Sequence, residues 1–411
     1  MPYRILAVNP GSTSTKLAVY NDDTPVISLS IPHSADDLAP FKTVNDQFLW
    51  RRDLVINELR KNGIDPKSLD AVIGRGGLIH PVESGTYEVN DDLYHDLMHT
   101  QRMHASNLGG LIAHDIAQMA GVKAYIADPV TVDELIPYAR ISGVPELPRK
   151  SILHALNQKA IARRYAKEVG ARYEDLNLIV CHMGGGSSVG AHRHGRVIDT
   201  TDGFNGMGPF TPERAGSLPT GQLVDLCFSG KYTHEEMAKM VHGRGGLVAH
   251  LGTSSVPEIL DRIDNGDLHA MLILRAMCYT TAKAIGEMAV ALKGDVDAIL
   301  ITGGVAHSQR LTDYIAGHVD FIAPIYVYPG ENELEALALN ALAVLTGERE
   351  ASEYTSIEDN NDPAAINDNS RASKLREVLR ESINNTNRAT RRQITAIRRY
   401  LRNLRTPRNR D

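Results

Sequence analysis

At 411 residues, with 42% hydrophobic and 23% charged residues, the chain has the size for two globular domains, each with its own core. No stretch approaches the roughly 18 apolar residues of a membrane span, and the N-terminus runs straight into a strand without a secretory leader, so the cytoplasm is the expected location. The cysteines Cys181, Cys227 and Cys278 are odd in number, far apart and without a CxxC pattern, which suits free thiols better than a disulfide framework or a zinc site.

The first element is an apolar run, Ile5-Leu6-Ala7-Val8, which passes through Asn9-Pro10-Gly11-Ser12-Thr13-Ser14-Thr15-Lys16 and resumes as Leu17-Ala18-Val19-Tyr20. This is a β-hairpin whose tip has small side chains and exposed backbone N–H groups, suited to phosphate oxygens. A polar stretch follows, then a helix over residues 44–61 stopped by Asn62-Gly63. Residues 69–74 read as a buried strand emptying into Arg75-Gly76-Gly77. After a helix over 106–120, the strand 122–127 delivers Asp128-Pro129 at its carboxyl end. Ligands gather outside the carboxyl ends of strands in open α/β sheets, which puts Arg75 and Asp128 where working residues belong.

Residues 153–169 have helical spacing, with Ile152, Leu156, Ala160 and Ile161 on one face. The opening phrase is then written again: Leu178-Ile179-Val180-Cys181, His182-Met183-Gly184-Gly185-Gly186-Ser187-Ser188, Val189-Gly190-Ala191. A Gly/Pro-rich loop spans 199–221 and a helical block 268–293. Residues 298–302 form a third buried strand ending in a glycine turn, Gly303-Gly304. The strand 325–328 meets Pro329-Gly330-Glu331-Asn332-Glu333, and a helix over 334–346 stops at Gly347. Strands alternating with helices predict an α/β protein, and a hairpin opening each half predicts mixed sheets from a duplicated domain. Residues 356–369 have linker composition. Residues 370–411 hold 13 Lys/Arg against 3 Asp/Glu around a Leu/Ile stripe, which predicts basic amphipathic helices on an otherwise acidic body.

Glycine turns ending three strands offer a nucleotide several backbone donors, whereas one such turn alone is equally a plain hairpin loop. The Walker pattern GxxxxGK[ST] is absent, and no GxGxxG follows the first strand, which disfavours P-loop and dinucleotide-binding folds. Beside the turns stand Asn9, Arg75, His104, Asp128, His154, His182, Arg214 and the pair Glu331/Glu333. Singly, a histidine is an ordinary core residue and an arginine a surface ion pair; here each follows a strand or lies in a glycine-containing loop. Phosphoryl transfer needs carboxylates for a metal and cations around the equatorial oxygens, and the arginine fork matches both carboxylate and phosphate. Asp128 and a glutamate of the 329–333 turn suit Mg²⁺, which takes one or two carboxylates and several waters.

The segments Val8-Asn9-Pro10-Gly11-Ser12-Thr13-Ser14-Thr15-Lys16, Gly74-Arg75-Gly76-Gly77, Asp128-Pro129, Ser151-Ile152-Leu153-His154, His182-Met183-Gly184-Gly185-Gly186-Ser187, Pro209-Phe210-Thr211-Pro212-Glu213-Arg214 and Ile301-Thr302-Gly303-Gly304 come in a specific order and spacing. Over about residues 3–355 the chain resembles the acetate kinase family of carboxylate kinases, and within it the branch acting on butanoate. The resemblance implies duplicated ribonuclease H-like domains of the actin-like ATPase fold, with mixed β-sheets flanked by helices and the active site in the interdomain cleft. An N-terminal domain would cover 1–150 and a C-terminal domain 151–355, its last helix packing back on the first, with 356–411 as linker and tail. It further implies reversible, ATP-dependent phosphorylation of butanoate to butanoyl phosphate, with ATP/ADP, Mg²⁺ and a homo-oligomeric state.

By position, Asn9 resembles the asparagine near the metal and phosphates, and Gly11, Ser12, Ser14 and Lys16 complete the first phosphate turn. Arg75 resembles the arginine that binds the substrate carboxylate or the transferred phosphoryl group, and Asp128 the catalytic, metal-associated aspartate. His154 is similar to the histidine contacting the transferring phosphate and Arg214 to the second transition-state arginine. His182 with Gly184, Gly185 and Gly186 looks like the second phosphate loop, Gly303-Gly304 like the turn beside adenosine, and His104 like a structural histidine. Two departures stand out. The adenosine cradle has only Ser254-Ser255-Val256-Pro257-Glu258 as counterpart, and Asn332 replaces the metal glutamate, leaving Glu331, the preferred choice, or Glu333.

Acetate, propanoate or 2-methylpropanoate are alternative acceptors, and a sugar kinase of the same fold is a remoter reading that would need Asp128 as a general base. A non-catalytic scaffold whose tail binds nucleic acid or an acidic partner is opposed by the intact set Asn9, Arg75, Asp128, His154 and Arg214.

Overall fold

The structure is a computed structural model describing residues 2–100 and 104–356; the linker from 357 and the amphipathic tail helices lie outside the described residues. Its strands form two mixed sheets built on one plan. In the first, the hairpin β1 (Arg4–Pro10) and β2 (Ser14–Asn21) continues antiparallel into β3 (Thr24–Pro32). On its other edge β1 runs parallel to β4 (Ala71–Arg75), followed by β6 (Lys123–Ala127), with β5 (Thr86–Glu88) antiparallel at the end. The second sheet repeats this with the hairpin β7 (Asn177–Met183) and β8 (Ser187–Arg193), antiparallel β9 (Arg196–Thr200), and parallel β10 (Ala298–Gly303) and β11 (Ile325–Pro329). The strand orders β3-β2-β1-β4-β6 and β9-β8-β7-β10-β11 correspond as duplicates.

The continuous apolar runs of β1 are explained by burial on both faces. Successive side chains of a strand point to opposite sides. Leu6 and Val8 therefore join Val55 and Leu59 of α1 (Phe48–Lys61) and Leu108 and Leu111 of α2 (Asn107–Ala120). Ile5 and Ala7 face the other way, onto Leu337, Ala338 and Ala341 of the last helix, which therefore packs on the first sheet. Three more helices matter to the site or its support: α3 (Ala155–Glu168), α4 (Leu268–Ala291) and this last one, α5 (Glu333–Leu345). The helix expected from residue 153 begins at Ala155, because His154 holds a non-helical cap conformation, so Ile152 lies outside the helical face.

One contact sets the end of β4. A Cβ on Gly74 would lie 2.0 Å from the Gly109 carbonyl oxygen, and one on Gly109 would lie 2.4 Å from the Arg75 carbonyl oxygen. Glycine on both sides lets α2 touch the strand and fixes the backbone that carries Arg75. Residues 2–135 and 150–356 form one compact unit holding both sheets. Residues 136–149 fall outside it and contain a single 3₁₀ turn, Pro137–Arg140. Among the described residues no helix is long and apolar enough to cross a membrane, and all three cysteines are free, with burial pushing the Cys181 and Cys278 thiols up to about 12.

Candidate active site

The β1–β2 turn is held from below by a residue that sequence reading passes over. Arg51 of α1 is 1% exposed, yet it pairs with no carboxylate among the described residues. Its Nη1 donates to the carbonyls of Gly11 (2.8 Å) and Ser14 (3.2 Å) and to Thr15 Oγ1 (3.1 Å), while Nη2 reaches Gln47 Oε1 (2.8 Å). Burial pulls this guanidinium down to about 10. The carbonyls are thus turned inward to Arg51, and the exposed tip keeps Ser12, with Lys16 exposed on β2.

Asn9, at the carboxyl end of β1, is buried and donates through Nδ2 to Glu333 Oε2 at 2.5 Å. Arg75 Nη1 reaches the same Glu333 oxygen at 2.9 Å and Asn9 Oδ1 at 3.4 Å. Glu333 is the first residue of α5, where the helix N-terminus favours a carboxylate. The end of the first hairpin and Arg75 are thereby tied to one carboxylate.

The second hairpin meets the neighbouring glutamate. His182 Nε2 lies 3.3 Å from Glu331 Oε1 and its Nδ1 lies 2.8 Å from Asn157 Oδ1 on α3. Hydrogen bonding to His182 holds the Glu331 carboxyl below its ordinary range. His154 stacks on His182 with ring centroids 3.9 Å apart and planes 13° apart. Burial first, then His182, Arg75 and Arg214, hold His154 well below the ordinary imidazole range, so it is neutral. Arg214 packs directly against the glycine turn: a Cβ on Gly186 would meet its Nη1 at 2.1 Å, and one on Gly185 would meet Glu213 Oε2 at 3.2 Å. Thr211 Oγ1 and the Glu213 amide both donate to the Gly185 carbonyl, which seats the arginine loop on the turn. Gly303, at φ +94°, exchanges backbone hydrogen bonds with Gly330 (3.1 and 3.0 Å), joining the third glycine turn and Gly304 to the turn that carries both glutamates.

Asp128 is placed differently from the expectation of a metal carboxylate. Its Oδ1 accepts from Ser84 Oγ (2.6 Å) and the Gly85 amide (3.0 Å), its Oδ2 accepts from Arg163 Nη1 (3.1 Å), and the side chain is wholly sealed from solvent. The backbone there is left-handed, φ +38°, a conformation that a non-glycine residue seldom adopts. In this conformation Asp128 anchors the 84–85 turn and Arg163 of α3. The residues matched to an adenosine cradle also serve the local backbone, since Ser255 Oγ accepts from the Glu258 amide as the N-cap of the helix Val256–Asp264.

Of the matched residues, Arg75, His104, His154 and Arg214 line one cavity of about 400 Å³, together with apolar Leu78, Val130, Ile152, Leu153 and Phe204. His104 Nδ1 is 2.8 Å from Ser106 Oγ at its rim. Asn9, His182 and the two glutamates stand next to these groups, while Asp128 does not open onto the cavity. Among the described residues no three His, Cys, Asp or Glu side chains converge as a metal cage. Mg²⁺ ordinarily takes one or two carboxylates and fills its shell with waters and phosphate oxygens, and the half-exposed Glu331 beside the glycine turns fits that donor set better than the sealed Asp128.

The acetokinase family pattern matches residues 146–364. A probable butyrate kinase of Bacteroides thetaiotaomicron is 54% identical over 346 residues, covering 84% of this chain and 98% of the relative. Butyrate kinase 1 of Clostridium acetobutylicum is 51% identical over 353 residues, 86% of this chain and 99% of its own length. Among solved structures, an acetate kinase of Porphyromonas gingivalis superposes with a TM-score of 0.68 at 18% identity, over 84% of this chain and 100% of that one. A propionate kinase of Francisella tularensis gives 0.66 at 17% identity, over 82% and 98%. These two share the fold.

Proposed function

This chain belongs to the acetokinase family, phosphotransferases with a carboxyl acceptor, and from that premise we propose that it phosphorylates butanoate with ATP, reversibly, giving butanoyl phosphate and ADP. The observation that carries this reading is the cavity, which combines two arginines and a neutral histidine with five apolar side chains. A short-chain carboxylate needs both, an anion-binding end and an apolar wall for its alkyl chain.

A carboxylate is ionised at neutral pH, its pKa lying near 4, so no general base is required. One carboxylate oxygen attacks the γ-phosphorus in line; the new O–P bond forms as the bond to the β–γ bridging oxygen breaks, and ADP leaves. Arg75 and Arg214 bind the acceptor carboxylate and offset charge on the equatorial oxygens, each removal of such a donor typically costing about 10²–10³ in rate. His154 contacts the transferred group between them. The Gly11, Gly184 and Gly303 amides are spent on Ser14, Gly186 and Gly330, so these three glycines shape their turns, while Asn9 and the remaining N–H groups of the turns orient the nucleotide phosphates. Glu331, with Glu333 behind it, would hold Mg²⁺, which when bound supplies Lewis-acid neutralisation of the phosphates. Asp128 ties the 84–85 turn to Arg163 of α3, and no step requires it as a base.

The test is a substrate panel of butanoate, 2-methylpropanoate, propanoate, acetate and glucose, followed by ADP release and by trapping acyl phosphate as the hydroxamate. Butanoate is expected to give the highest kcat/KM. ADP release with glucose and no hydroxamate from any carboxylate would overturn the reading, whereas a higher value for another acid would move the acceptor within the family.

A further inference from the structure

Behind His154 lies a chain of buried polar groups whose direction can be worked out from one fixed point. Gln158 of α3, fully buried, places its Nε2 position 3.1 Å from the Ser188 backbone carbonyl, which can only accept. The amide nitrogen must therefore sit there, and the same nitrogen donates to Ser188 Oγ at 2.8 Å. The Ser188 hydroxyl also accepts from the His154 backbone amide at 3.2 Å. With both lone pairs engaged, its hydrogen is left to donate to His154 Nδ1, 2.8 Å away. On the other side, Gln158 Oε1 must accept from His192 Nε2 at 2.9 Å, which leaves His192 Nδ1 to accept from the Tyr173 hydroxyl at 2.6 Å. Ser188 and His192 are fully buried and Tyr173 nearly so.

We infer that Tyr173, His192, Gln158 and Ser188 form a one-way hydrogen-bond relay that locks His154 as the Nε2–H tautomer, so that it offers the cavity a donor and never an acceptor. Nδ1 is occupied, and Nε2 is the remaining polar atom of a ring that lines the cavity, with no hydrogen-bond partner among the described residues. The relay also accounts for Gly190 on β8, which has no unusual φ: a Cβ there would lie 2.5 Å from Gln158 Oε1 and 3.1 Å from His192 Nε2, in the middle of the chain. Burial and the charges of Lys159 and Arg163 keep His192 neutral, and burial keeps the Tyr173 hydroxyl protonated, both as the relay requires. Ser188, Gln158, His192 and Tyr173 are positioning residues. That the donor meets a phosphoryl oxygen rests on the function proposed above; the tautomer does not.

Long-range ¹H–¹⁵N correlation on the ligand-free, histidine-labelled protein at pH 7.5 tests it, with His154→Gln assigning the signal. His154 and His192 are both expected to show protonated Nε2 and bare Nδ1; a protonated Nδ1 on His154 would overturn the relay outright. Ser188→Ala is expected to shift His154 to a mixture of tautomers and lower kcat at least ten-fold, with the carboxylate KM within three-fold. Tyr173→Phe, which deletes one hydroxyl at the far end, is the milder variant, expected to perturb the His192 signals and lower kcat two- to five-fold. Should Ser188→Ala fail to fold, the wild-type spectrum and Tyr173→Phe still decide, and His154 and His192 signals unchanged in every folded variant also count against the relay. The expected tautomer without any acyl hydroxamate in the panel would leave the relay standing and sink the functional reading instead.

Discussion

The two hairpins share a backbone plan and differ in how they are wired. In the first, the polar residue is Asn9, the turn is gripped through its carbonyls by the buried Arg51, and the outward link goes to Glu333. In the second, the polar residue is His182, the turn is covered by the 211–214 loop with Arg214 packed against Gly186, and the outward link goes to Glu331. The two glutamates lie two residues apart in one turn, which is itself hydrogen-bonded to the third glycine turn at Gly303. Duplication therefore supplied two similar cradles, and a single unduplicated turn joins them. Repeats of this kind set up a phosphate grip; chemistry enters through what is not repeated.

Cutting the joint should do the most damage. Arg75→Ala removes the cation that shares Glu333 with the first hairpin and lines the cavity, and kcat/KM in the hydroxamate assay is expected to fall about 10³-fold, roughly 4 kcal/mol. ADP affinity, measured by calorimetry, should change less than about five-fold because the glycine turns are intact. An equal loss in both quantities would show that Arg75 serves the nucleotide and the acceptor alike. The same substitution made in both turns should next separate them. Gly186→Ala drives a methyl group into the Arg214 guanidinium and is expected to lower kcat about 10²-fold. Gly11→Ala meets nothing closer than 3.5 Å and should alter stability by less than about 0.5 kcal/mol in urea titration.

The difference between the hairpins also measures what could be read in advance. The hairpin strands and β4, β6 and β10 are legible because burial on both faces forces continuous apolar runs, and glycine turns mark their ends. The outer strands β3 and β9 are fainter: Ile27, Leu29 and Ile31 alternate with polar residues on a strand that is nowhere fully buried, a pattern easily read as a polar stretch, and Arg196–Thr200 has only five residues. Arg75, His154 and Arg214 come together at the cavity because strand ends and glycine loops converge there. Asp128 satisfies the same strand-end rule yet turns away, since its partners Ser84 and Gly85 lie 44 and 43 residues back and no local pattern announces them. Arg51 looks like a surface residue of an amphipathic helix; only the tertiary structure shows that it faces a row of carbonyls. The Ser188 relay was equally hidden, being spread over α3, β8 and the 173–175 turn.

Arg51→Met tests the support peculiar to the first hairpin. It takes the buried donor from the Gly11 carbonyl, while the Ser14 carbonyl keeps the Gly11 amide, at a cost of about 1–3 kcal/mol in urea titration. The KM for ATP should rise several-fold while the butanoate KM stays put, because the damage is confined to the first turn. A rise in both would mean that the turn and the acyl cavity move together.

Acid again divides the halves. The second hairpin is backed by His154 and His192, both held well below the ordinary imidazole range chiefly by burial. The first has one such group, His33, lowered by burial and Arg51, its Nε2 on Thr15 Oγ1 at 2.8 Å. An imidazole depressed in the folded state lets the unfolded chain bind a proton near pH 6.5 while the native state does not, so stability falls as pH drops below about 6.5. The slope is about 1.4 kcal/mol per pH unit for each fully buried histidine kept neutral, until the native group itself protonates. Amide exchange at pH 7.5 and 5.5, corrected for intrinsic rates, should therefore show β7 and β8 losing protection before β1 and β2. Simultaneous loss would mean that the hairpins open as one cooperative unit through the shared 329–333 turn, and that their different wiring governs chemistry but not stability.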